Sequence, residues 1–369
     1  MNDNYFATKI TEEEKATAIT DKFGAKYTAD GLKLIRVPEN LRTYHIQEGT
    51  KMIADEAFYG CSLLKSVIIP DSVESIGAWA FAECSSLESI SIPNSIVEIM
   101  YYTFFECKSL ESIIIPNGVK SIGYAAFAHC SSLESITIPL TVTVIAGRAF
   151  KGCSSLTHVR IPDGVDCICE RTFSGCESLE SITIPASVCC IEEGAFCYCD
   201  FLETVVFEGS VCSIGKQAFE FCLSLRSIVL PPRLREIGDY AFHQCYSLEM
   251  VHIPSAVESI GAWAFAECSR LRSIIIPESV RDIGRNAFLG CEELGTIVIL
   301  SLLVIIGDDV CLECESLHDI VAPDPVCCQL ARQLGPQSKE ITWQLIEHNE
   351  PQYQFKNNSS FPKVIPLTR

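Results

Sequence analysis

Twelve cysteines fall at one interval. Cys61, Cys84, Cys107, Cys130, Cys153, Cys176, Cys199, Cys222, Cys245, Cys268, Cys291 and Cys314 stand 23 residues apart throughout. Phenylalanines keep the same beat three positions earlier, from Phe58 to Phe288, and leucines three positions later, from Leu64 to Leu317. At the last step Cys311 stands where Phe is expected. Three residue types in phase over a dozen periods constrain the fold more tightly than composition can. Each unit is one supersecondary piece that cannot bury its apolar face alone and must stack on its copies. The 369 residues would otherwise suggest two or three domains at ~150 residues each. A shared, continuous core makes one elongated domain instead.

Cys84 to Phe104 serves as a worked unit. Leu87, Ile90 and Ile92 give the spacing L-x-x-I-x-I, whose last part alternates apolar and polar residues. It predicts a short strand with Ile90 and Ile92 facing inward. Pro93 then stops the ladder, because it has no N–H to donate. Ile96 and Ile99 follow on a second extended segment, and Phe104 closes the unit; others end G-x-x-A-F, as in Gly77 to Phe81. Each inward aliphatic or aromatic side chain contributes roughly 1.5–3 kcal/mol once its neighbour covers it. Strands stacked at ~4.8 Å over twelve coils predict a parallel sheet about 55 Å long.

The unit C-x-S-L-x-S-I-x-I-P-x-S-V-x-x-I-G-x-x-A-F resembles the BspA-like leucine-rich repeats over about residues 44 to 323. Duplication is plain: VESIGAWAFAECS at Val73 to Ser85 recurs unchanged at Val257 to Ser269. The resemblance implies an α/β-type solenoid, mostly β: a right-handed superhelix with a parallel sheet on its concave face and no catalytic residues. It also implies a surface or secreted protein that binds matrix proteins, other cells or partner proteins.

A solenoid must cover its open ends. Residues 1–43 are expected to form an N-terminal cap: an acidic helix within Thr11 to Thr20, then a hairpin around Asp30-Gly31. Residues 44–323 form the repeats, and in the first, degenerate unit Pro38 stands where Cys would be. Residues 324–369 form the C-terminal cap. Asp324 is expected to cap a helix with Pro325 at its first position and Gly335 past its end, and Leu330, Ala331 and Leu334 would face the last coil. Ile341 to Leu345 would add a strand, and the polar tail from His348 would be loosely ordered.

Net charge is −19. That opposes binding to a nucleic-acid backbone, which rests on clustered Lys and Arg, and to anionic membrane surfaces. No apolar run approaches the ~20 residues that span a bilayer. The start, Met1 to Phe6, lacks the basic region and apolar run of a secretory signal. The residues thus suggest a cytosolic chain, or a mature or trimmed one, where the resemblance suggests the cell surface. Nothing fixes the oligomeric state.

The outward positions of the first strand define the candidate binding surface. Four residues after each Cys the file includes Glu88, Glu111, Glu134, Glu180, Glu203, Arg226 and Arg272. Five after, it is mostly Ser, interrupted by His158, Met250 and Asp319; seven after, it is moderately apolar, interrupted by Arg160 and His252. An acidic edge, a hydroxyl stripe and an apolar stripe suit an extended, partly basic protein partner. Glu and Ser also serve simply as soluble strand residues. The pairs His158/Arg160 and Met250/His252 break the pattern and are the expected contact points.

The periodic thiols share an inward register with Phe and Leu, where free Cys acts as a small hydrophobe. Stacked in parallel, they are poorly aimed at each other for bridging. Off that register, Cys167, Cys189, Cys190 and Cys212 are expected close together on the back or side of the solenoid. Four thiols can hold zinc, form a disulfide or remain reduced, and no C-x-x-C spacing favours the metal. The many unpaired thiols point to a reducing compartment. None of the seven histidines falls in H-E-x-x-H, and G-x-S-x-G, the P-loop and G-x-G-x-x-G are absent, so neither catalysis nor a cofactor is expected. Asn357 and Asn358 each begin N-x-S, which matters only in a glycosylating compartment. The function read from the residues is a non-catalytic protein-binding module, adhesin-like or receptor-like. An intracellular scaffold or effector, and a spacer without a ligand, are the alternatives.

Overall fold

Every 23 residues the chain returns to the same two strands. The computed structural model describes residues 8–346; His348, the tail after it, Asn357 and Asn358 lie outside them. Fourteen front strands begin at Thr43, Ser66, Ser89 and onward in steps of 23, up to Asp319–Ala322 and Thr342–Leu345. All the pairs formed between them are parallel, with Ser112 beside Ser135 and Ile113 beside Ile136, for example. The result, among the described residues, is a mostly-β parallel-sheet solenoid of fourteen turns. It has two turns more than the cysteine count, one before Cys61 and one after the C-terminal helix.

A second parallel ladder runs beside the first. Its two-residue strands begin at Met52–Ile53 and end at Ile305–Ile306, again 23 residues apart. Between the two strands, the proline column shapes a β-turn: the carbonyls of Pro70, Pro93 and Pro116 each accept the N–H three residues on. Proline thus ends one strand and closes the turn that starts the next.

The third side carries no strand, yet it is also hydrogen-bonded from coil to coil. Glu56, Phe58 and Gly60 donate their N–H groups to the carbonyls of Ala78, Ala80 and Ala82 in the next coil. Two residues of each such turn have positive φ. One file runs Glu56, Trp79, Tyr102, Ala125, Arg148, Arg171 and on to Asp309; the other includes Glu83, Glu106, His129, Tyr198 and Phe221. Between the three sides lies the core. Phe58 to Phe288 form one continuous stack, with Phe127 and Phe150 5.5 Å apart at 2°, and the periodic Cys and Leu columns are fully buried beside it.

The ends follow the expected order with three differences. The helix spans Glu12–Ala16 only, with a capping box between Thr11 and Glu14. Ile19–Thr20 belongs instead to a strand, antiparallel to Lys26–Tyr27, which pairs antiparallel with Lys33–Arg36 and joins the second ladder at Met52. Behind this hairpin a buried relay runs from the Gln47 amide to the Tyr27 hydroxyl, on to Tyr44, and ends on the Asp21 carboxylate at 2.7 Å. At the far end the helix spans Asp324–Leu334, but Pro323 occupies the N-cap and no side chain caps it. Asp324 and Pro325 are its first and second residues, because Pro323 still belongs to the proline column of the repeat. Leu330 and Leu334 are buried as expected, Ala331 only partly, and Val326 and Cys327 share the contact.

Candidate interaction surface

Period-two alternation decides what the front sheet shows. In each strand the central Ile or Val points into the core, so the residues before and after it point outward. Glu88, Glu111, Glu134, His158, Arg160, Glu180, Glu203, Arg226, Met250, His252 and Arg272 are all exposed. His158, Arg160, Met250 and His252 flank a central Val and lie on the outward face, whereas the Glu residues, Arg226 and Arg272 stand just before their strands and line its leading edge; the 23-residue register puts like positions side by side.

Charge is not evenly compensated across this face. Lys65 pairs with Glu88 at 2.7 Å, and Arg272 reaches Glu249 at 3.6 Å and Glu293 at 3.5 Å. Among the described residues Glu111, Glu134, Glu180 and Glu203 have no cationic partner within 4.0 Å. Neighbouring strands put Glu111 beside Glu134 and Glu180 beside Glu203, and like charges directly opposite are destabilising.

Seven positions after each Cys, the apolar file gathers toward the C-terminal half. Val206, Val229 and Ile275 are exposed there, Val229 by 77%. His252 lies in the middle of this file, and Met250, two residues earlier on the same outward face, is also exposed. In the N-terminal half exposed Ile68 and Ile114 are separated by Ser91, and Thr137 and Arg160 follow. Val298, expected on the same outward file, is buried. The front ladder also lapses after His158–Val159, after Thr204–Phe207 and after Met250–His252. Both strands singled out in the sequence therefore border an interruption in backbone pairing.

The off-register cysteines are arranged differently from the sequence expectation. Cys167 and Cys190 are register partners on the second ladder, with their sulfurs 2.9 Å apart. Cys189 is exposed, its sulfur 4.0 Å from that of Cys190. Cys212 is exposed and its thiol donates to the Ser210 carbonyl. Cys169 and Glu192, not anticipated, approach Cys167 so that one ligand atom from each of the three lies within 4.8 Å of the others. A hydrogen bond from Cys167 holds the Cys169 thiol below the usual thiol range against the opposing effect of burial. The signal was present in the sequence: the second strand's S-I-G, as in Ser213 to Gly215, becomes C-I-C at 167–169 and C-I-E at 190–192.

The model of the BspA type leucine-rich repeat region matches this chain in six copies, across residues 37–154, 120–249 and 213–327. No curated protein matches the chain. Among solved structures, a leucine-rich repeat protein from Bacteroides ovatus is similar at 28% identity and a TM-score of 0.56. That match covers 89% of this chain and 97% of the other. A leucine-rich cell surface protein from Faecalibacterium prausnitzii is similar at 25% identity and a TM-score of 0.52, covering 82% and 94% respectively.

Proposed function

The chain belongs to the BspA-type leucine-rich repeat family, and on that premise we propose that it is a non-catalytic protein-binding module of adhesin-like or receptor-like kind. Its partner is an extended, partly basic protein segment laid across the front sheet. One observation carries the reading: the exposed apolar file from Val206 to Ile275 runs beside a row of exposed glutamates at the strand starts, of which Glu111, Glu134, Glu180 and Glu203 have no cationic partner within 4.0 Å among the described residues. Contiguous exposed apolar area marks interaction sites. Fixed charge at the edge of such an area selects and steers a partner of opposite sign. The cell surface assignment of the Faecalibacterium protein supports a role outside the cell.

Met250 and His252 form the proposed centre of contact, with His158 and Arg160 a second point on the N-terminal half. The test immobilises the chain and captures partners in parallel from extracellular matrix extract and from cell lysate. A saturable partner from matrix supports the adhesin reading; one found only in lysate favours an intracellular scaffold. Replacing Met250 by Ser and His252 by Thr restores the repeat's own residue types without disturbing the core. That double variant is expected to weaken binding by roughly tenfold or more, as for a central anchor. Unchanged affinity would remove this strand from the interface, and no saturable partner in either extract would leave a structural spacer.

A further inference from the structure

The second ladder carries a repeated outward pair at the S-I-G positions. In most coils the first member is Ser or an acid and the second is Gly, as at Ser121/Gly123, Ser213/Gly215, Glu236/Gly238 and Ser259/Gly261. Where glycine stands, packing leaves it no room for a side chain. A Cβ at Gly215, Gly238 or Gly261 would stand within 3.0 Å of the preceding coil's backbone. The outward surface there is therefore bare, and a shallow groove of about 690 Å³ runs along it from Cys190 and Glu192 to Gly284.

Two consecutive coils replace all four of these positions at once. Cys167 and Cys169 stand on one strand, two residues apart and on the same face. Cys190 and Glu192 stand beside them on the next, because Cys167 pairs in register with Cys190 and Ile168 with Ile191. Three cysteines and a glutamate thus stand at the corners of one rectangle, ~4.8 Å across the strands and ~6.6 Å along them. The Glu170 N–H donates to Glu192 Oε2 at 2.8 Å and fixes one carboxylate oxygen. The neighbouring acids are already neutralised, Glu170 by Arg148 at 2.7 Å and Glu193 by Arg171 at 3.0 Å. Among the described residues Glu192 has no such cation within 4.0 Å.

We propose that Cys167, Cys169, Cys190 and Glu192 form a binding site for a single thiophilic divalent cation, zinc by preference, clamping two adjacent coils together. Three sulfurs and one oxygen satisfy the four-coordinate preference of zinc, and the carboxylate disfavours softer monovalent copper. Sulfurs at 2.3 Å from a tetrahedral zinc lie about 3.8 Å apart. The Cys167–Cys190 pair, at 2.9 Å, opens by about 0.9 Å to admit the ion. The Cys167, Cys169 and Glu192 ligand atoms already lie within 4.8 Å of one another. The site stands on the second ladder, so it is independent of the front-sheet reading.

The experiment titrates the full chain, kept reduced, with Co²⁺ and then displaces it with Zn²⁺. Saturation at one ion per chain is expected, with thiolate-to-cobalt charge transfer and the ligand-field bands of a tetrahedral centre. Cys169→Ser and Glu192→Gln should each weaken binding by roughly tenfold or more, since even outer-shell changes at metal sites cost that much. Glu192→Gln leaves every thiol in place, and circular dichroism checks that each variant is folded. Cys212→Ser and Cys328→Ser remove exposed thiols outside the site and should leave the titration unchanged. The site is overturned by the absence of thiolate-to-cobalt bands, by a cobalt affinity that Cys169→Ser leaves unchanged, or by bands lost with Cys212→Ser. A Cys167–Cys190 disulfide that forms in air despite excess zinc, seen by mass spectrometry of the unreduced chain, also overturns it in favour of a redox staple.

Discussion

At each 23rd position the side chain is a thiol rather than an alanine or valine, and the backbone beside it gives the reason. From Cys84 to Cys314 each sulfur donates to the carbonyl of the Phe 26 residues earlier, at 3.1–3.3 Å. The same carbonyl often serves a second donor: Phe104 O accepts both the Cys107 N–H and the Cys130 thiol, each at 3.2 Å. The column is therefore a weak hydrogen-bonded ladder as well as a set of small hydrophobes. Cys130→Ala is expected to cost about 1–2 kcal/mol, the loss of roughly one methylene equivalent, a small void and a weak bond. Cys130→Val fills the space but supplies no donor, so it should not recover that loss. Urea denaturation of the two variants decides the matter; a Val variant more stable than the native chain would reduce the thiol to a space-filler.

Elements in this fold are short, and what made them legible was phase. Ile90 and Ile92 before Pro93 were enough to place a strand, its inward face and its end. The same phase put His158 and Met250 on one outward face and Glu111 at the exposed start of its strand. The turns on the third side were not legible, because their left-handed positions carry Glu, Trp, Tyr, Arg and Gln rather than glycine. Such residues are held in that region by the alternate N–H bonds to the next coil, an inter-coil effect with no local sequence signature. The last front strand was partly hidden for a similar reason. Thr342 keeps the 23-residue step, but a helix replaces the second strand and the turn, so Cys and Phe no longer mark the beat. Cys169 and Glu192 carry a weaker signal, because they stand in a column that is mostly glycine, off the register of Cys167. The turn geometry itself is testable at Gln217, whose φ is 58° and whose N–H bonds Asp239 O at 2.8 Å. Gln217→Gly relieves about 1–2 kcal/mol of left-handed strain against ~0.5–1 kcal/mol of added chain entropy, so it should be neutral or slightly stabilising. Gln217→Val puts a β-branched residue in the left-handed region and should cost about 1–3 kcal/mol. Thermal melts that rank Val level with Gly would contradict the left-handed turn.

For the whole molecule, stacking turns one residue's environment into a column, and a column of buried thiols has a collective consequence in alkali. Burial pushes the thiol of Cys61 up to about 11 and those of Cys153, Cys245 and Cys314 up to about 12. The same cause raises Cys107, Cys130, Cys176, Cys222, Cys268 and Cys291 well above the ordinary thiol value. An unfolded thiol titrates near 8.5. Above that pH the unfolded chain releases protons that the folded chain keeps, so stability falls as pH rises and continues to fall toward the folded values. Each buried thiol contributes about 1.4 kcal/mol of loss per pH unit in this window. Repeat arrays open in stretches of neighbouring coils, so a stretch of three coils loses roughly 4 kcal/mol per pH unit. The urea midpoint should therefore be nearly flat from about pH 7 to 8 and drop steeply between about pH 9 and 10, before most Tyr and Lys titrate. Replacing Cys199, Cys222 and Cys245 together by Ala lowers the starting stability but removes three titrating groups from adjacent coils. Its alkaline slope should be shallower than that of the native chain by about 4 kcal/mol per pH unit. Equal slopes would mean that those thiols do not govern the alkaline transition.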